Sequence, residues 1–454
     1  MLPYFNHQLS SIKFFQRCER GLDISDPGTG KTRVQIAVFA NRRLHKSGCA
    51  LIVAPKSLLR SAWEDDFAKF APHITLSVAE AEKRETAFLV PADVYVINTD
   101  GVRWLAKQPE SFFAKFNTLI IDEISYFKHR TSQRSKAMAK IKKHFKFRYG
   151  LTGTPNANTI LDIWHPTMLI DDGKRLGKSF YQFRQATCIA KQIGPMANMV
   201  EWNDREGSED SVAALIRDIT IRHKFEECLD IPPNTEHTIQ YHLAPKQLLA
   251  YRRMEKDRIL DMISAEGVTR ATAINAAALT TKLLQIASGA VYVETGKALI
   301  DTGRYELVTD LIEARAHCVV FFNWTHQRDH LIEEFKKREI TYVVIDGSTS
   351  SNAHHEAVDL FQKGFYRVLL AHPASAGHGL TLTRATTTIW ASPTYNLEHV
   401  LQGNRRIYRA GQFQRTETIF VVAQGTIDEV VMERIRTKDL RQRALLDILK
   451  ERVK

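Results

Sequence analysis

The run Asp23-Ile24-Ser25-Asp26-Pro27-Gly28-Thr29-Gly30-Lys31-Thr32 sets two glycines, a lysine and a threonine directly ahead of an apolar stretch containing Val34, Ile36, Ala37 and Val38. Glycines let the backbone turn until successive N–H groups face one point. The amino end of the following helix adds positive potential, and Lys31 supplies a mobile cation. Such a loop grips phosphate oxygens, and Thr32 would offer its hydroxyl to Mg²⁺. Ser25 stands where the strict G-x-x-x-x-G-K-[ST] pattern has its first glycine.

About 90 residues further on, the apolar run Phe116-Asn117-Thr118-Leu119-Ile120-Ile121 ends in Asp122-Glu123. Carboxylates at the carboxyl end of a strand, where ligand crevices of α/β sheets open, suit a Mg²⁺ ligand (Asp122) and a residue that polarises an attacking water (Glu123). A third group lies far from both: Gln402-Gly403-Asn404-Arg405-Arg406-Ile407-Tyr408-Arg409. On one helix, Gln402, Arg406 and Arg409 would share a face, so that two guanidiniums meet the charge on a transferring phosphoryl group together.

These groups need rigid elements to bring them together. Short β-branched runs recur at Leu51–Val53, Val94–Ile97, Leu119–Ile121, Val319–Phe322, Val343–Ile345, Val368–Leu370 and Ile419–Val422, separated by stretches of helix length. Continuous apolar runs of this kind predict parallel strands covered by helices on both faces, hence an α/β fold. From about Asn156 to Arg304 helical spacing takes over, with Leu279, Leu283 and Ile286 at i, i+4, i+7. The segment Ile231-Pro232-Pro233-Asn234 reads as a linker, because paired prolines stop a helix. Near the carboxyl end, Ile427, Val430, Val431 and Ile435 predict an amphipathic helix docking back on the second half.

At 454 residues the chain exceeds one compact core. Its hydrophobic fraction of 44% and charged fraction of 25% exclude a disordered or fibrous protein. No segment approaches the apolar length of a membrane span, and the opening residues lack a secretion-signal pattern, so a cytoplasmic location is expected. The five cysteines are scattered and read as reduced core thiols. An excess of 63 Lys and Arg over 51 Asp and Glu favours a polyanionic partner. From Ile124 to Leu161 there is no acidic residue, while Lys128, Arg130, Arg134, Lys136, Lys140, Lys142, Lys143, Lys146 and Arg148 are basic, a run that can track phosphates or form a solvated face.

The ordered series resembles superfamily two helicases, and among them the Swi/Snf family of ATP-driven DNA translocases, over about residues 4–440. Gln8 sits where that family has its adenine-reading glutamine, Asp26–Thr32 resembles motif I, and Leu51–Leu59 with Trp63 resembles motif Ia. Val96–Thr99 is similar to motif Ib, Asp122–Ser125 to motif II and Leu151–Pro155 to motif III. In the second half Val320–Trp324 is similar to motif IV, Ile345–Ser350 to its neighbour, Gly377–Leu382 to motif V and Gln402–Gln412 to motif VI. Motif V departs from the family's small-Gly-Gly opening with Ser375-Ala376-Gly377, and motif II ends in Ser125 where many relatives have His.

The resemblance implies two RecA-like lobes: 1–228, a linker at 229–240, and 241–454 with a helical segment 244–290 and a closing helix 427–450. It implies ATP contacts from Gln8, Asp26, Pro27, Gly28, Thr29, Gly30, Lys31, Thr32, Gly379, Arg406 and Arg409, and catalytic roles for Lys31, Asp122, Glu123, Gln402, Arg406 and Arg409. Mg²⁺ would fall to Thr32 and Asp122, coupling to Thr152 and Thr154, and the nucleic-acid backbone to Lys56, Ser57, Asn98, Thr99, Asn323 and Trp324. The expected activity is ATP hydrolysis by a monomer travelling on double-stranded DNA, independent of sequence because phosphate contacts carry no base information. A strand-separating helicase on single-stranded DNA or RNA, and a non-hydrolysing ATP-bound clamp, are the competing readings.

Overall fold

The computed structural model describes residues 3–44, 48–156, 158–192, 199–228, 231–264, 270–293, 296–376 and 380–451. The chain divides into two compact units, Met1–Ala190 with Trp202–Asp230 and Lys438–Lys454, and Lys191–Glu201 with Ile231–Thr437.

The first unit is built on a seven-stranded parallel sheet. Its strands are Arg20–Asp23 (β1), Cys49–Ala54 (β2), Leu76–Ala79 (β3), Val94–Asn98 (β4), Phe116–Asp122 (β5) and Phe147–Leu151 (β6). After a short ribbon of Cys188–Gln192 (β7) and Val200–Asp204 (β8) comes Thr220–Ile221 (β9), which completes the order β3-β4-β2-β5-β6-β1-β9. Successive residues of the apolar strands enter opposite cores: Leu51 and Val53 join one cluster, Ala50, Ile52 and Ala54 the other. Both faces are therefore buried, as the uninterrupted hydrophobic runs require. Helices Asn6–Arg17 (α1) and Lys31–Arg43 (α2) cover one face, through Phe15 and through Val34, Ile36 and Val38.

The second unit holds a six-stranded sheet, also parallel throughout. Asn234–Tyr241 (β10), the hairpin Ala290–Val293 (β11) with Gly296–Leu299 (β12), Cys318–Phe321 (β13), Tyr342–Ile345 (β14), Val368–Ala371 (β15), Thr387–Trp390 (β16) and Thr416–Ala423 (β17) follow in sequence. The main sheet is ordered β10-β17-β16-β13-β15-β14. Helices Pro245–Ser264 and Arg270–Ala287 lie between β10 and β11, and Leu283 and Ile286 pack into the sheet's core with Leu279 at the margin. The closing helix Ile427–Glu451 buries Val431, Met432 and Ile435. Val430 departs from the expected apolar face: it is one position off the stripe and exposed.

The basic run is mostly consumed by the fold. Arg148 and Lys142 hold Asp172, Lys143 pairs with Glu110, Lys146 with Glu19, Lys128 with Asp162 and Arg134 with Asp100. Its missing acidic partners come from elsewhere in the chain, so the run as a whole is no free track of cations.

Candidate active site

Strand register assembles the first two groups. β6 lies between β1 and β5, with Leu151 opposite both Asp23 and Asp122, so the segments leaving Asp23, Leu151 and Asp122 emerge side by side at one edge of the sheet. The phosphate loop leaves Asp23, motif III leaves Leu151, and Glu123 follows Asp122.

The loop is a tight turn before α2. Gly28 and Gly30 have φ of +89° and +81°, and a side chain at Gly30 would run into the Gln8 amide. Only glycine takes that conformation and that approach without strain. Lys31 Nζ donates to the carbonyls of Ser25 at 2.7 Å and Asp26 at 3.1 Å. Gln8 is 3% exposed; its Oε1 accepts from Phe5 N and Arg33, and its Nε2 reaches Thr29 O at 3.4 Å. Gln8 thus caps α1 and braces the loop. His7, which the sequence did not single out, braces it too, with Nε2 2.8 Å from the same carbonyl. Pro27 packs against Gly153 of motif III, where an added methyl would lie 2.7 Å from the proline ring.

Asp122 is 7% exposed. Burial pushes its carboxyl above the ordinary aspartate range, opposed by the indole N–H of Trp63, the charge of Lys31 and the Glu123 amide. The Trp63 bond is 2.9 Å long and the Glu123 amide donates to the other oxygen at 3.0 Å. Glu123 itself adopts a left-handed backbone (φ +48°), a strain of roughly 1–3 kcal/mol that non-glycine residues hold mainly at functional sites. Thr152 Oγ1 donates to Glu123 Oε2 at 3.5 Å and accepts from Thr154 N at 3.1 Å, which links motif III to the acidic pair. Thr154 Oγ1 is buried without a hydrogen-bond partner among the described residues.

These residues fit a magnesium–triphosphate. The loop would present glycine amides and a movable ammonium, while Thr32 and Asp122 would supply the hydroxyl and carboxylate oxygens that a hard cation takes.

Next along the same edge, β2 and β4 pair with Ala54 opposite Asn98. Lys56 and Ser57 follow β2 as an exposed turn, and Asn98 ends β4 beside a buried Thr99.

In the second unit the expected helix through motif VI stops early. It spans Leu397–Asn404, because Gly403 is pressed against Trp390 and Phe321 and the Asn404 side chain is held by Trp390 Nε1 at 2.9 Å. Gln402, Arg406 and Arg409 therefore do not share a helical face. The arginines still converge: Arg406 and Arg409 both donate to the Leu380 carbonyl, and Arg406 Nε donates to Gln402 O at 2.9 Å. Gln402 is buried, its Nε2 on Glu398 and its Oε1 without a partner among the described residues. Asn323 spends its amide protons on Ser392 and Pro393 within its own unit, while Trp324 is half-buried and stacks on His326. Gly379 lies outside the described residues.

Two helix-covered parallel sheets, with a phosphate loop and an Asp-Glu pair on the strand ends that flank β6, suit an enzyme of the nucleoside-triphosphate-hydrolysing class. Residues 7–288 match the SNF2-related domain and residues 303–411 the helicase conserved C-terminal domain; the chain belongs to the SNF2-related family. Protein p41 of Acyrthosiphon pisum secondary endosymbiont phage 1 is 28% identical, over 94% of this chain and 93% of its own length. An ATP-dependent helicase of Mycoplasma pneumoniae is 25% identical, over 94% of this chain. A SWI/SNF-related matrix-associated actin-dependent regulator of chromatin subfamily A-like protein 1 of Xenopus tropicalis is 27% identical over 91%. The chain spans 41% and 42% of those two relatives. A solved SWI2/SNF2 ATPase core of Sulfolobus solfataricus, in complex with double-stranded DNA, is similar at a TM-score of 0.45 and 20% identity, over 99% of this chain and 95% of that one. Among the described residues no helix is long and apolar enough to cross a membrane.

Proposed function

We propose that the protein hydrolyses ATP on double-stranded DNA and moves along it as a monomer, remodelling DNA or protein–DNA complexes in replication, recombination or repair. The observation that carries this reading is one continuous sheet edge, running from the phosphate loop through Asp122 to Lys56, Ser57 and Asn98, which sets nucleotide chemistry beside candidate phosphate contacts.

In this reading Lys31 leaves the Ser25 and Asp26 carbonyls for the β- and γ-phosphate oxygens. Glu123 orients the attacking water, and Thr152 reports its position to motif III. Mg²⁺ held by Thr32 and Asp122 supplies charge neutralisation when bound. Arg406 and Arg409 meet the charge spreading over the transferred group, a role whose loss costs about 10³–10⁵ in rate.

ATP turnover measured with duplex DNA, single strands and RNA tests the proposal. Duplex DNA should stimulate most, and Lys31→Ala and Arg409→Ala should abolish the stimulated rate while leaving DNA binding intact. Stimulation by RNA alone would overturn the DNA assignment.

A further inference from the structure

The phosphate loop is gripped by a segment almost 200 residues away in sequence. Ile24 N donates to Ile221 O and Asp26 N to His223 O, each at 3.0 Å. His223 N donates to Ser25 Oγ at 3.0 Å. The Asp26 carboxylate is divided, one oxygen 2.8 Å from Arg222 Nη2 and the other accepting from Phe225 N at 2.9 Å. Arg222 Nη1 also donates to His223 O at 2.6 Å, so its guanidinium fastens strap and loop to each other. The Arg222 side chain is 4% exposed and that of Asp26 15%.

Two features make this more than packing. A carboxylate in a loop meant for a polyanion repels its ligand unless neutralised, and Arg222 neutralises Asp26. Ser25 and Asp26 are also the residues whose carbonyls hold Lys31. The loop residues that must release the ammonium to a phosphate are thus the ones tied to the strap. That strap continues through Phe225–Cys228.

We propose that Arg222, acting through Asp26, is a positioning residue for ATP turnover: it holds the loop in the form from which Lys31 can be released. The inference rests on the reading of the loop as the ATP site.

The test compares Arg222→Met, Arg222→Lys and Asp26→Asn in the full chain, at a temperature where each is folded by its melting curve. Arg222→Met should raise the KM for ATP about tenfold, Asp26→Asn, which removes the repelling carboxylate along with the tie, should raise it less, and both should lower the ratio of duplex-stimulated to basal turnover, with DNA affinity in the absence of nucleotide unchanged. Arg222→Lys should recover most of the KM. Binding of a fluorescent ATP analogue is measured separately from hydrolysis. A wild-type chain that neither binds the analogue nor turns over ATP would refute the ATP site itself. A wild type that does both, with variants matching it in KM and stimulation and losing only melting temperature, would overturn the positioning role. If Arg222→Met does not fold, Arg222→Lys and Asp26→Asn decide on the same criterion.

Discussion

Three groups oppose the burial of Asp122, the carboxylate proposed for Mg²⁺: the charge of Lys31 and two neutral donors, the Trp63 indole and the Glu123 amide. Replacing Trp63 with Phe removes a hydrogen bond to a buried carboxylate, a loss of about 1.5–3 kcal/mol, and raises the Asp122 pKa further. Trp63→Phe should therefore need roughly tenfold more Mg²⁺ for half-maximal ATP turnover, read from a magnesium titration at fixed ATP. An unchanged titration would show that the indole only fills space. The placement of Lys31, Asp122 and Glu123 at or just beyond strand ends was legible in the sequence because it depends on local spacing alone. Asp26 was legible as part of the loop, but not as the partner of Arg222, since nothing in a spacing pattern reports a contact across 196 positions. His7 was hidden for a different reason: it acts through one carbonyl bond, which any polar side chain at that point of α1 could have made.

At the scale of elements, strands rich in Val, Ile and Leu were read directly, whereas β10 was not. Its sequence Asn-Thr-Glu-His-Thr-Ile-Gln-Tyr is largely exposed on an outer edge, where one flank and much of both faces meet water and no apolar run is needed. The motif VI helix shows the converse failure: a helical period was present, but tertiary packing around Gly403 ended the helix before the arginines. The closing helix is secured by a pair that periodicity does not reveal. Arg304 and Asp428, both side chains 0% exposed, meet at 2.6 Å, and Arg304 also bonds the carbonyls of Ala391 and Val421 at the ends of the central strands. Asp428→Ala strands a buried guanidinium and should destabilise the chain by about 3–5 kcal/mol in urea unfolding. The double change Arg304→Met with Asp428→Leu should cost less than the single one. Equal losses would mean that the charge pair is irrelevant to docking of the helix.

The whole molecule carries a pH liability set by buried imidazoles. His165 in the first unit and His326 and His399 in the second are each pushed down to about 4 by burial. A histidine that titrates near 6.5 when unfolded and near 4 when folded leaves the unfolded chain with the extra proton between those values. Its contribution is complete above about pH 6.5 and is lost as pH falls toward 4, by up to about 1.4 kcal/mol per pH unit for each group. His317, His354 and His372 are lowered as well, all in the second unit, against His144 and His223 in the first. The second unit should therefore be the first to unfold on acidification from pH 7.5 to 5, detectable by hydrogen exchange resolved by segment; simultaneous loss of both would contradict the assignment. The pairing of β10 with β17 has a consequence for biosynthesis. Eight residues at Asn234–Tyr241 wait for partners at Thr416–Ala423. On the ribosome the first unit has its own sheet complete from Ile221 onward, whereas the nascent second sheet keeps a bare flank until Thr416–Ala423 has been made. That interval is when a chaperone would find most to hold.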